Sequence, residues 1–119
     1  MKLVNLLLVL GLGAFTVCFG QLQTPSEHLF AQGMYSIEQS NDVQSLEEAM
    51  RSNPNISIVR LDQYSNRFFI LTQNISSLTE EDLRSWFGEF GDRIDCIQIG
   101  LHGVDQVNPF PFTNCSNKD

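Results

Sequence analysis

Basic residues are scarce in this chain. Seven Lys and Arg stand against 14 Asp and Glu among 119 residues, for a formal net charge of −7. Affinity for phosphate backbones comes chiefly from clustered Lys and Arg, so no nucleic-acid partner is expected. Histidine is sparser still: His28 and His102 are far apart in sequence, and neither has a second His or Cys at metal-ligand spacing. Internal repeats, low-complexity tracts and blocks of like charge are all lacking. A chain this short supports one domain and one core, near the lower limit for a fold without covalent staples. That excludes a two-domain enzyme, a dinucleotide-binding fold with its substrate domain, and a multi-pass membrane protein.

One long apolar run is present, and it lies at the N-terminus. Lys2 supplies a basic start, Leu3 to Phe15 is apolar but for Asn5, and Cys18 and Gly20 stand three and one places before Gln21. This is the pattern of an export signal cut before Gln21. The alternatives are an uncleaved anchor and lipidation at Cys18; Val17 stands where a lipoprotein signal carries a small residue. Removing 20 of the 119 residues leaves 99, with Lys118 as the only lysine and a charge of −8. The expected organisation is a signal over 1–20, a polar leader over 21–27, a folded domain over 28–101 and a C-terminal tail over 102–119. The destination is periplasmic or extracellular, with no stable membrane insertion once the signal is gone.

With Cys18 removed, Cys96 and Cys115 remain. Two cysteines in a small exported domain read first as a disulfide. Closing a loop of about 20 residues is worth on the order of 3 kcal/mol on a chain-entropy estimate. The rival reading, a catalytic or metal-binding thiol, lacks partners in the sequence.

The order of elements follows from pattern. His28–Ile37 suits a strand, with Gly33 marking a bulge or a close backbone approach. Asn41 is a candidate N-cap with Gln44 three residues on, and Val43, Leu46, Ala49 and Met50 form one apolar stripe ended by Asn53-Pro54. Ile56–Asp62 and Arg67–Thr72 are rich in β-branched and aromatic residues and read as a hairpin. Thr79 caps a second helix whose first turn is Glu80, Glu81 and Asp82, with Leu78 and Leu83 as a hydrophobic staple. Leu83, Trp86, Phe87 and Phe90 give its inward face, and Gly91 is the expected left-handed stop. Ile94–Leu101 reads as a last strand with Ile97, Ile99 and Leu101 on one face. The order β-α-β-β-α-β predicts an α+β, ferredoxin-like sandwich: a four-stranded antiparallel sheet with two helices on one face. An α-β-β-α-β core with its first strand missing or swapped is the alternative.

Arg67-Phe68-Phe69-Ile70-Leu71-Thr72-Gln73-Asn74 followed by Thr79 to Gly91 resembles the opening of an RNA-recognition motif over about a third of the chain. The family's second aromatic strand, with its basic and glycine residues, has no counterpart, and an acidic chain lacks the cationic surround that base stacking needs. The element order also resembles heavy-metal-associated domains, which hold soft metals on a Cys-x-x-Cys loop before the first helix. The corresponding stretch, 36–42, has neither Cys nor His, so the likeness implies a fold without a metal or other cofactor. Cys96 to Asp105, with Trp86-Phe87-Gly88-Glu89, is similar to short exported bacterial proteins.

Candidate chemistry is thin. His102 and Asp105 offer an acid–base couple, but Gly103 makes the segment read as a turn. Three Asn-x-Ser sequons, at Asn55, Asn74 and Asn114, mark glycan acceptors if the chain passes a eukaryotic secretory route; Asn114 abuts a cysteine. In Val107-Asn108-Pro109-Phe110-Pro111-Phe112, the alternation of Pro and Phe suits either a partner-binding tail or aromatic caps over the core. The expectation is therefore a non-enzymatic exported domain that binds a protein or small ligand through its helix-free sheet face or its tail. A propeptide-type protease inhibitor and a small hydrolase or isomerase are the alternatives.

Overall fold

The computed structural model describes residues 28–116. The signal, the cut at Gln21, the leader, Cys18 and Lys118 lie outside them. Strand β1 is Leu29–Tyr35, helix α1 is Ser40–Arg51, and strands β2 and β3 are Ile56–Asp62 and Arg67–Thr72. Helix α2 is Glu80–Trp86, a 3₁₀ turn covers Gly88–Arg93, and β4 is Ile94–Leu101. The product is a mixed α+β domain with one four-stranded sheet in the order β2-β3-β1-β4, all neighbours antiparallel. Strands β1 and β2 thus run parallel on either side of β3, and β3 and β4 run parallel on either side of β1.

Burial alternates along the strands as a one-sided sheet demands. Ala31 and Tyr35, Val59 and Leu61, Phe68 and Ile70 join Val43, Leu46 and Met50 of α1 and Leu83 of α2 in one buried cluster. Both helices therefore cover the same face. Phe87 sits at its centre, its ring edge-on to Phe68 at 5.0 Å. Trp86, Phe90, Ile97 and Ile99 pack on the cluster's margin.

Helix α2 starts as its sequence dictates. The Thr79 hydroxyl accepts from Asp82 N–H at 3.0 Å, and the Asp82 carboxylate accepts from Thr79 N–H at 3.1 Å. This reciprocal box satisfies two otherwise orphaned donors and contributes about 1 kcal/mol. Leu78 and Leu83 on either side are both buried in the core.

Two helix ends differ from expectation. Asn41 is not a cap: α1 begins at Ser40 from an extended Gln39 that makes no side-chain cap bond. Burial of Ile37 and Val43 sets the entry, and the Gln39 carbonyl takes the first bonds from Asp42 and Val43 N–H. Gly91 is not the left-handed stop; Gly88, with φ +61°, turns the chain three residues earlier. Gly91 is needed for space, since a Cβ there would lie 2.6 Å from the Arg84 carbonyl.

Gly33 marks a bulge, but the extra residue is on the facing strand. Gln32 pairs with Gln98 and Met34 with Asp95, so Cys96 and Ile97 together oppose Gly33, and Cys96 takes φ +56°. A Cβ at Gly33 would meet the Asp95 carbonyl and the Phe68 ring at 2.7 Å. The bulge lets β4 lean across β1, and that approach requires glycine.

Candidate functional site

The helix-free face of the sheet is where the tail goes. Positions alternate with the core set: Phe30 and Gln32 on β1, Arg67 and Phe69 on β3, Ile58 and Arg60 on β2, and Gln98 and Gly100 on β4. Phe30 lies outside the main core yet is fully buried. Its ring stacks on Phe69 at 6.2 Å and lies over Gly100, where a Cβ would stand 2.9 Å from it. A second, small apolar layer therefore sits on the side away from the helices.

Residues 102–116 form a strap over this layer. The chain turns at Gly103, φ +85°, where Asp105 accepts from Leu101 N–H at 2.7 Å. Gln98 then binds the returning strap at both ends of its amide: Nε2 donates to the Gln106 carbonyl (2.9 Å) and Oε1 accepts from Asn108 N–H (2.8 Å). Gln32 donates to the Asn108 carbonyl at 3.1 Å. Further on, Phe110 lies under the Arg67 guanidinium, 4.4 Å from the ring centroid, and meets Phe112 edge-on at 5.5 Å. The strap finally returns to β4, where Asn114 donates to the Ile97 carbonyl, Cys115 is bonded to Cys96, and Ser116 bonds Asp95.

Between the strap and the β2–β3 hairpin lies a groove of about 530 Å³. Phe112 and Phe69 wall it, Gln32 and Arg67 contribute polar edges, and Arg60, Asp62 and Glu47 of α1 form its rim at the β2 end. Arg67 is propped by Phe110 and by its Nε bond to Ser65 Oγ at 2.9 Å. Arg60 is exposed and makes no hydrogen bond or ion pair among the described residues. The Ser65 hydroxyl and the Tyr64 amide hold the Asp62 carboxyl below its ordinary range, and Arg67 adds to that pull. A second cleft, of about 670 Å³, lies beside the disulfide. Its arginines are committed to the fold: Arg84 donates to the Gly91 and Ile94 carbonyls and Arg93 to that of Ser36.

The other candidate residues fall elsewhere. His28 stands 2.7 Å from the Thr72 carbonyl through Nδ1, and its own carbonyl accepts from His102 N–H at 2.8 Å. The two histidines thus share one sheet end, although no group of three metal-ligating side chains occurs among the described residues. Asp105 serves the Leu101 amide rather than His102, so the proposed acid–base couple is a turn. Asn55 is half-buried beside β2, Asn74 is exposed at φ +64°, and Asn114 spends its amide on Ile97. Gln32 and Gln98, which hold the strap, gave only one sign in the sequence: polar residues at the strand positions that alternate with the core-facing ones. Comparison with protein-family models, curated proteins and solved structures finds no match to this chain. No helix among the described residues is long and apolar enough to cross a membrane.

Proposed function

We propose that this is an exported, non-enzymatic binding domain of ferredoxin-like topology, and that it holds a small ligand with an apolar, flat body in the groove under the strap. The topology is supported by the interleaving of its two β-α-β units, each placing its parallel strands on either side of one strand of the other. Export is supported by the N-terminal apolar run and by the Cys96–Cys115 bond, which suits an oxidising compartment.

The observation that carries the binding reading is a groove walled by Phe69 and Phe112 of the helix-free side, which runs round the β2 end of the sheet to Glu47 of α1. Concave sites with aromatic walls and a few placed polar groups are the usual form of small-ligand pockets. A propeptide-type inhibitor acting through an extended tail fits less well, because the tail is tied at Gln98, Gln32 and Cys96. Titration of isotope-labelled protein with a set of soluble aromatic carboxylates and amines tests the reading. Saturable shifts are expected at the Phe69, Arg67 and Phe112 amides, weakened in Phe112→Ala. Absence of any saturable shift across the set overturns it.

A further inference from the structure

The two edges of the sheet are treated differently. On β4, the bulge at Cys96, the disulfide, and the bond from Asn114 to the Ile97 carbonyl all blunt the edge. Strand β2 has no such cover among the described residues. The Asp62 carbonyl turns inward to accept from Asn66 N–H at 2.8 Å. By strand alternation, the N–H and C=O of Leu61 and Val59 then point outward from the sheet. One large apolar side chain is displayed on the strand, Ile58 at 47% exposure, and a second, Tyr64 at 97%, in the turn that follows it. Near them stand Arg60, which has no hydrogen-bond or ion-pair partner among the described residues, and the carboxylate of Asp62.

We propose that β2 pairs antiparallel with β2 of a second copy of this chain, about a two-fold axis at Leu61, joining two sheets into one of eight strands. In that register the outward amides of the two Leu61 residues exchange both backbone hydrogen bonds. Arg60 then falls opposite Asp62 of the second copy, and Asp62 opposite its Arg60. That position is a non-hydrogen-bonded pair, where opposed Cα atoms are only about 4.5 Å apart and the side chains approach closely. At each end Ile58 faces the β2–β3 turn of the second copy, which carries the exposed Tyr64. Asp62 already accepts from Tyr64 N–H and Ser65 Oγ, and a carboxylate has room for further donors. Centring the axis one residue back, on Arg60, sets that arginine against its own copy, and like charges directly opposite are unfavourable. Charge thus selects one register, and the interface is self-complementary, as a two-fold contact must be.

Sedimentation velocity and light scattering on the secreted, oxidised chain test this, with hydrogen exchange mapped at several concentrations. A dimer is expected, with concentration-dependent protection of the Val59 and Leu61 amides. Ile58→Lys and Arg60→Glu should each raise the dimer Kd about tenfold or more, and Arg60→Lys should stay within about threefold. Both disrupting sites are exposed, and an unchanged monomer melting curve checks that folding persists. A chain that stays monomeric up to about 1 mM overturns the proposal. So does a dimer that neither variant weakens, or one whose protection maps to β4 and the strap. Arg60, Leu61 and Asp62 border the groove and Ile58 does not, so the Ile58→Lys arm is the one read independently of ligand binding there.

Discussion

The side-chain amide of Gln32, in the middle of β1, donates both to Gln98 Oε1 at 2.9 Å and to the carbonyl of Asn108 at 3.1 Å. One buried polar group thereby couples two strands to a strap 76 residues further along the chain. Gln98 completes the link by accepting from Asn108 N–H. Replacing Gln32 by Ala leaves the Asn108 carbonyl without its protein donor while Phe30 and the main core stay packed. The expected cost is about 1 kcal/mol. Hydrogen exchange should accelerate at Asn108 and its neighbours while the β1–β3 ladder stays protected. Uniform acceleration across the sheet contradicts this division.

The disulfide acts on the same strap from its far end. Cys96 and Cys115 are 19 residues apart, and joining them restricts the unfolded chain by about 3 kcal/mol on the entropy estimate. Cys96→Ser with Cys115→Ser should lower stability by about that amount and raise proteolysis between Gly103 and Ser116 first. Urea unfolding of the oxidised and double-variant proteins, with cleavage sites read by mass spectrometry, gives both quantities.

These two predictions concern the part of the molecule least legible from its residues. β2, β3 and the capped start of α2 are fixed by local chemistry: alternating β-branched and aromatic residues, and Thr79 three places before Asp82. Periodicity therefore finds them. The path of the strap depends on long-range partners, Gln32 with Asn108 and Arg67 with Phe110, that no local pattern announces. The left-handed Cys96 was equally hidden, because Ile97, Ile99 and Leu101 alternate as if the strand were regular. The start of α1 shows the opposite failure: Asn41 has good capping chemistry, and burial of Ile37 and Val43 overrides it. The candidate site was half visible, since Phe69, Phe110 and Phe112 were evident as aromatics but not as neighbours.

Tyr35 carries a buried hydroxyl that has no hydrogen-bond partner among the described residues. Burial, with the nearby charges of Asp62 and Glu47, raises its pKa above the usual phenol range. A raised folded pKa means a contribution to stability that is present below the unfolded value and lost as pH rises through the folded one. Tyr35→Phe removes an unsatisfied polar group and keeps the ring, so stability at neutral pH should hold or rise by about 1 kcal/mol. The variant should also lose less stability than the parent above pH ~10, where tyrosine ionises in the unfolded chain. Melting temperatures measured at neutral and alkaline pH decide it: a large loss at neutral pH shows that the hydroxyl is bonded.

Asp62 has the opposite linkage. Its carboxyl pKa is lowered first by the Ser65 hydroxyl, at 2.8 Å, then by the Tyr64 amide, at 3.0 Å, and further by Arg67. A depressed folded pKa gives stability that is present above the unfolded carboxyl value of about 4 and lost as pH falls through the folded value. The hairpin turn should therefore loosen at the acid end, below pH ~4, and not near neutrality. Asp62→Asn keeps an oxygen for the Tyr64 amide but cannot titrate, so it should flatten the acid limb of the stability curve. Because the carboxylate is solvent-exposed, the effect is small and should shrink further in high salt. Urea midpoints for the two proteins between pH ~2.5 and pH 7, at low and high salt, measure it. Parallel curves for parent and variant across that range would show that the turn draws nothing from the ionised carboxylate.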